Sequence, residues 1–549
     1  MEKYSYRFRD TQIVLRMGLA LIFSSLIWGC IESAEYGGEL SGDTVISNQT
    51  GSEVPTFGIF EKAFEHTGNY SNPYTQITAK ATFRDPKGNT QMIPLFWNGE
   101  EQWKVRLSPN LEGSWAYSIS SNDPGLNGQT GSLAVVKSAN QGGIQIMEEY
   151  PYHFEYQDRT PFWFFGDTNW QAFGINRREN LNRESYKHYI DVRAAQGFNY
   201  IHSNLLKPGK NEGGSAFHRL RGERINPIFW QEVDTRLQYA NSQDITVMLF
   251  LAWANLTGKK ADGAKDWGDF PDNNARLRYA RYVAARYSAY NVAFNVAGEW
   301  NEFGDKAIYE AIGETIESND PHNRIIAIHP GSTQSVEEFA HNSWLSLGDY
   351  QQNYKSLHNK ILAVRDHNKP VVNAEYAYYL RDRNGDGDID KQNSRSLEEI
   401  RHATWDIVMA GGYFVTGWGT TYHGGYLDPG PFDPNASKNH DWEEDVQHIH
   451  KFFTELAWWK LNPHNELLKG SGPRYALAEI GEQYVVYTRD SGKRILLSLG
   501  SQEASAYSVK LFNPRTGAYA SLADYTGNDS VLLSPPDSQD WAFVLTKKD

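Results

Sequence analysis

The sequence predicts an α/β fold: a central (β/α)8 TIM barrel flanked by an N-terminal β-sandwich and a C-terminal β-sandwich. Three observations predict it. The 549 residues are too many for one ordinary domain, whereas a barrel alone takes roughly 250. From residue 143 to 462, apolar runs alternate with helical stretches, the order expected of parallel β/α units. On either side of that stretch, short alternating runs are separated by turn-forming clusters, the rhythm of small antiparallel sandwiches.

Residues 1–30 place basic residues ending at Arg16 before an apolar run from Met17 to Trp28. That run is too short to span a bilayer comfortably and stands where a signal peptide stands. Ile27-Trp28-Gly29-Cys30 resembles the lipobox of bacterial lipoproteins, with Gly29 as the small residue before a lipidated Cys30, although Trp28 is unusual in that motif. An ordinary signal peptide cut nearby is the alternative. Either reading makes the protein exported, and the lipobox reading makes it a membrane-anchored lipoprotein of a bacterial cell envelope. Cys30 is the only cysteine, so no internal disulfide forms and the fold rests on burial.

Residues 31–52, rich in Gly, Ser, Glu and Thr, read as a flexible tether. Residues 53–142 carry TQITAKATF, QWKVRLS and SWAYSIS between the turn clusters DPKGN, PNLEGS and SNDPGLNG, which reads as the first sandwich. In residues 143–462 the strand candidates are FWFFGDTNW, FNYIHSN, TVMLFLAWAN, VAFNVAGEW, RIIAIHPG, SWLSLGDYQ, PVVNAEYAY and YFVTGWGTTY. Helices are expected at Arg183 to Ala195, Pro227 to Ser242, Asn274 to Tyr290, Lys306 to Ser318, Val336 to His341, Tyr354 to Asn368, Ser396 to Ala410 and Asp441 to Leu461. In residues 463–549 the strands YALAEIG, QYVVYTRD, RILLSLG, SVKLFNP and WAFVLTK form the second sandwich.

The net charge of −14 argues against a nucleic-acid partner, because phosphate contact needs a basic face. Aromatic residues make up 14% of the chain, with 17 Trp and 32 Tyr, and flat amphipathic rings suit the apolar faces of sugars. Large cores use aromatics too, so this observation leans towards carbohydrate without deciding it.

In such barrels the active site is built at the carboxyl ends of the strands, so polar residues there weigh most. They are Asp167, Asn169 and Trp170 after the first strand, His202 and Asn204 after the second, and Trp253 and Asn255 after the third. Glu299, Trp300, Asn301 and Glu302 follow the fourth, His329 the fifth, Asp349 and Tyr350 the sixth, Glu375 and Tyr376 the seventh, and Trp418, Tyr422 and His423 the eighth. Strands four and seven face one another across a barrel mouth, and both end in carboxylates. Cleaving a glycosidic bond needs an acid to protonate the leaving oxygen and a carboxylate to meet the oxocarbenium-like centre, about 5 to 5.5 Å apart in a retaining mechanism. For Glu375 the bland alternative is an ion-paired strand residue. For the two histidines it is a satisfied structural group, and for the tryptophans, of which Trp418 is the best platform candidate, a cap on the core.

The barrel is similar to the apiosidase-like branch of the retaining clan-A glycoside hydrolases through PFWFFGDTNW, RYSAYNVAFNVAGEWNE, VVNAEYAY and TGWGTTYHGG. The segment NYSNPYTQ…ATFRDPKG…WKVRLSPNLEGSWAYSIS resembles a β-sandwich domain of unknown function that often precedes such barrels, and the tail with LFNPRTGAY and DWAFVL resembles a domain named for collagen binding that often follows them. The resemblance implies that Glu375 is the nucleophile and Glu299 the general acid/base of a glycosidase. Asn301-Glu302 also mimics the Asn-Glu pair found at the fourth strand in many clan members, so Glu302 stays open as the acid/base.

Asp382-Arg383-Asn384-Gly385-Asp386-Gly387-Asp388-Ile389-Asp390 matches the calcium loop of an EF-hand in its oxygen ligands and central glycine. Position 12 is Asn393 instead of the bidentate Glu, with Glu398 a more distant substitute. Such a Ca2+ would stiffen the loop, and the glycosidase chemistry itself calls for no cofactor. The expected partners are a poly- or oligosaccharide substrate and, through Cys30, a membrane. The competing readings are a non-catalytic cell-surface glycan-binding lipoprotein that kept the barrel but lost its chemistry, and, third, a polysaccharide lyase.

Overall fold

Each of the eight apolar runs becomes one short parallel strand: β1 (Phe165–Thr168), β2 (Tyr200–Asn204), β3 (Thr246–Phe250), β4 (Val292–Asn295), β5 (Ile326–Ala327), β6 (Gly348–Tyr350), β7 (Val371–Asn373) and β8 (Tyr413–Gly417). The structure is a computed structural model describing residues 53–548 and the backbone of Ile46–Ser47, except 176–180, 208, 219–221, 255–265, 304, 333–335, 352–354, 366–367, 377–394, 418–440, 491 and 502–503. Cys30, the expected signal peptide and most of the expected tether lie outside the described residues.

The hydrogen-bonded order is β5-β4-β3-β2-β1-β8-β7-β6, all parallel. Ser346 bridges the seam between β5 and β6: its N–H donates to the Ile326 carbonyl at 2.8 Å, and its hydroxyl accepts from the Ile326 N–H at 3.0 Å. The sheet is thereby a nearly closed barrel. Alternating residues along each strand point into the barrel or out towards the helices.

The helices of the outer layer are α1 (Arg183–Ala195), α2 (Pro227–Ser242), α3 (Asn273–Tyr287), a single turn α4 (Trp300–Phe303), α5 (Lys306–Asn319), α6 (Leu357–Val364), α7 (Leu397–Val408) and α8 (Asp441–Thr454). Their starts are chemically marked. Asn182 accepts from the Glu184 and Ser185 N–H groups, Asn226 precedes Pro227 at the first turn of α2, and Ser396 and Glu399 form a reciprocal capping box. The helix expected at Val336 to His341 is only a 3-10 turn, Glu337–Phe339. Its segment runs straight on to Trp344, which packs under Gly313 of α5, so little length remains for a helix.

The N-terminal domain stacks a five-stranded sheet on a four-stranded one around Phe83, Trp103, Val105, Trp115 and Leu133. It is joined to the barrel by a buried charge network. Arg106 binds Glu61 of its own sheet at 2.7 Å and Asp234 of α2 at 2.8 Å, and Arg286 of α3 binds the same Asp234 at 2.6 Å. The C-terminal domain encloses its own core, including Tyr484, Val486, Leu497 and Phe543, between a seven-stranded and a three-stranded sheet.

Candidate active site

Five strand ends, those of β3 to β7, converge on one cluster. Beyond β4 the chain continues extended to Gly298, whose carbonyl accepts from the Ala254 N–H at 3.0 Å and whose N–H donates to the Ala252 carbonyl at 3.2 Å. A Cβ at Gly298 would fall 2.3 Å from the Trp253 ring, so only glycine lets the two segments approach this closely. Glu299 follows in the left-handed region with φ +49°, a conformation costly for a residue with a Cβ and one that recurs at functional sites. The turn sends the Glu299 carboxylate to the Trp253 indole, whose Nε1–H donates to it at 3.1 Å. The α4 turn starts at the next residue and is tied to the neighbouring strand, because the Trp300 N–H donates to the His329 carbonyl.

Across the mouth, Glu375 lies two residues past β7, which is held beside β6 by the Ala374 N–H donating to the Tyr350 carbonyl at 2.7 Å. The Glu375 carboxylate is buried and lies 3.5 Å from His329 Nε2, an ionic contact longer than a good hydrogen bond. His329 Nδ1 meets Asp349 at 2.9 Å, and Asn295 Nδ2 donates to the other Asp349 oxygen at 2.9 Å. The His329 ring centroid is 6.4 Å from that of Trp253. One aromatic pair therefore separates the two glutamates: Glu299 is bonded to Trp253 and Glu375 touches His329.

Burial opposes charge on His329, but the carboxylates of Asp349 and Glu375 outweigh it and raise its pKa to about 10. Burial also raises Asp349, against the pull of His329. With a carboxylate on either side, His329 is favoured in its charged form. His202, buried and beside this cation, is pushed well below its ordinary value and is neutral. Around it the buried floor of the mouth is polar: Asn169 Nδ2, His202 Nδ1, Asn204 Nδ2 and Asn295 Oδ1 have no hydrogen-bond partner among the described residues. Buried polar atoms are rarely left so, and a cluster of them at strand ends suits a hydroxyl-rich ligand.

Residues 149–460, more than half of the chain, match the family model described as apiosidase-like, catalytic domain. The chain belongs to the apiosidase-like family. Its barrel is the catalytic domain of a glycoside hydrolase, and residues 53–122 match a domain of unknown function (DUF5060). Among solved structures it is similar to a candidate glycoside hydrolase from Bacteroides vulgatus, at 17% identity and a TM-score of 0.71 over 90% of this chain and 100% of that one. It is also similar to a glycoside hydrolase family 5 protein from the same organism, at 15% identity and a TM-score of 0.61 over 74% of this chain and 94% of that one. These likenesses concern the fold. No curated protein matches the chain.

The apiosidase-like barrel corrects several readings of single residues. Asp167 was expected to bind substrate, but it lies on the helix side of β1, where its carboxylate takes a bond of 2.6 Å from Arg193 and one of 2.9 Å from Tyr189, both on α1. Tyr376 likewise points outward, its hydroxyl 2.7 Å from Thr404 on α7. Strand alternation explains both, since neighbours of an inward residue point outward. Trp170 and Trp300 are 1% and 7% exposed, too deep to serve as sugar platforms. Trp170 props Trp253 edge-on at 5.2 Å, and Trp300 packs edge-on against Phe339 at 4.9 Å. Asn301 Oδ1 accepts from the Gly331 N–H at 2.6 Å. Among the described strand-end tryptophans, Trp253 alone is only partly buried, beside Glu299.

The side chain of Glu302, and Asn255, Trp418, Tyr422 and His423, lie outside the described residues, as do Asp382, Asn384, Asp386, Asp388 and Asp390 of the expected calcium loop. Among the described residues, Glu398, His402 and Asp490 bring ligand atoms within 4.8 Å of one another, but on the surface, where acidic groups commonly gather without an ion. Sequence reasoning missed Asn295 as a site residue. Its signal was faint: an amide closing the apolar run VAFN, where an apolar side chain would serve β4 as well.

Proposed function

We propose that the chain is a retaining glycosidase in which Glu375 is the nucleophile and Glu299 the general acid/base. The observation that carries this reading is the placement of the two glutamates at the ends of β7 and β4, each in contact with one member of the Trp253–His329 pair. The positive charge of His329 beside Glu375 favours the ionised carboxylate that a nucleophile needs. Glu375 attacks the anomeric carbon while the glycosidic C–O bond breaks, and Glu299 gives its proton to the leaving oxygen. Glu299 then takes a proton from water, which displaces Glu375 from the same carbon and releases the sugar. Trp253, only partly buried and bonded to Glu299, offers a ring face to the sugar and holds the acid in place.

The test is release of reducing ends from a panel of plant and algal polysaccharides by the wild type, Glu375→Gln, Glu299→Gln and Glu302→Gln. Loss of about three orders of magnitude or more in Glu375→Gln and Glu299→Gln, with Glu302→Gln retaining activity, is the expected pattern. Full activity in Glu375→Gln would refute the mechanism, and full activity in Glu299→Gln with loss in Glu302→Gln would move the acid/base by three residues.

The lipobox-like Ile27-Trp28-Gly29-Cys30 supports delivery as an envelope lipoprotein acting on extracellular carbohydrate. Cys30→Ser is then expected to move the protein from the membrane to the soluble fraction, and an unchanged membrane fraction would refute the anchor.

A further inference from the structure

The seam between the N-terminal sandwich and the barrel holds a half-open cavity of about 610 Å3, within the range of small-molecule sites. Its walls come from the sandwich, around Lys80, Trp97 and Asn122, and from the barrel, around Arg278, Arg281 and Tyr282 of α3 and the end of α5. Barrel helices run back from the carboxyl ends of the strands to the amino ends, and Asn319 closes α5, so the cavity lies on the flank towards the amino ends. Glu299 and Glu375 stand at the opposite ends of their strands.

Charge is what distinguishes this cavity. The chain carries a net −14, yet the lining holds three cations, Lys80, Arg278 and Arg281, and neither Asp nor Glu. Cations unbalanced by acids in an acidic protein form a local positive field, which focuses anions. The aromatic walls are held rigidly. The Trp97 indole donates to the Glu100 carbonyl at 2.8 Å, and the Tyr282 hydroxyl accepts from Arg286 at 2.9 Å while its ring meets Tyr74 edge-on at 5.6 Å. Arg278 is anchored by one bond to the Gly222 carbonyl at 3.0 Å, with Tyr74 beneath it at 6.0 Å. Trp97, a partly exposed ring of the lining, suits the apolar face of a sugar, while Tyr74 and Tyr282 are buried, and guanidinium groups suit carboxylates and sulfates.

We propose that this seam cavity is a second carbohydrate site that binds an acidic oligosaccharide, one bearing carboxylate or sulfate groups, apart from the catalytic mouth. It rests on the glycosidase reading only in taking a sugar as the ligand. A site of this kind in the same chain holds a polymer to the enzyme and raises the effective concentration of its other segments at the mouth.

The test is calorimetric titration of the full chain carrying Glu375→Gln, so that cleavage does not intrude and failure of the catalytic reading leaves the result standing. The probes are oligogalacturonides and sulfated galactan oligosaccharides, with neutral β-glucan and xylan oligosaccharides as controls. Saturable binding of an acidic probe is expected, weakening with salt and falling about ten-fold or more in the added pair Arg278→Gln/Arg281→Gln. Lys80→Gln/Arg281→Gln, at two exposed positions, repeats the measurement should the first pair disturb folding. Absence of saturable binding by both acidic probes, equal binding of the neutral ones, or acidic binding that survives both pairs of substitutions would each overturn the proposal.

Discussion

His329 is fully buried between two carboxylates, 2.9 Å from Asp349 and 3.5 Å from Glu375, and its charge is the central electrostatic fact of the mouth. Its pKa in the folded protein, about 10, stands above its ordinary 6.5, so the folded state binds this proton more tightly than the unfolded chain does. The stability it contributes is therefore fully present below pH 6.5 and is lost as pH rises through about 10. The same rise removes the cation beside Glu375. In the wild type the melting temperature is expected to fall across that alkaline window and kcat as pH nears 10, while His329→Gln starts lower in both and shows a flatter alkaline limb. Thermal melts and rate profiles between pH 6 and 10 check this; superimposable alkaline limbs would mean that another group governs the decline.

At the scale of elements, the weakest junction of the barrel is the seam between β5 and β6, where β5 has two residues and Ser346 stands in for a strand-to-strand ladder. Ser346→Ala removes the acceptor of the Ile326 N–H, a backbone donor in a residue only 3% exposed, and an unsatisfied buried donor costs about 1–3 kcal/mol. The expected result is that loss in chemical denaturation, with Ser346→Thr, which keeps the hydroxyl, recovering part of it. No change in Ser346→Ala would show that the seam is held elsewhere. This junction also marks the limit of what was legible in the sequence. α1 and α2 run over the residues expected from the sequence, Arg183–Ala195 and Pro227–Ser242, and their starts are fixed locally by Asn182 and Asn226-Pro227. The segment after β5 carried no such signal and came out as a 3-10 turn, Glu337–Phe339. The glutamates were legible because strand ends are where barrels do chemistry. The outward turn of Asp167 and Tyr376 was not, because a phase error of one residue along a strand exchanges the barrel interior for the helix layer. Nor does any local pattern foretell that Asn295, Asp349 and His329 meet, since they come from three different strands.

The whole molecule is held together unevenly. In the C-terminal domain the strand Gln483–Thr488 is buried on both faces: Tyr484 and Val486 belong to that domain's own core, while Val485 and Tyr487 join the core of the barrel. Tyr487 stacks flat on Trp405 of α7 at 4.6 Å, and Phe512 packs on Phe452 of α8 at 4.7 Å. Around this apolar contact, Arg401 of α7 binds Asp540 at 2.9 Å and Arg489 binds Asp406 at 2.8 Å. Removing residues 463–549 would expose Trp405 and Phe452, each worth about 1.5–3 kcal/mol when buried, and would remove the partners Asp540 from Arg401 and Arg489 from Asp406. A domain's net stability is only about 5–15 kcal/mol, so the loss takes a large share of it. The barrel truncated after residue 462 is therefore expected to lose its near-ultraviolet circular dichroism and to aggregate, whereas the full chain melts barrel and C-terminal domain in one transition. A truncated barrel that stays soluble and melts cooperatively at the temperature of the full chain would show that the shared core adds nothing to the catalytic domain.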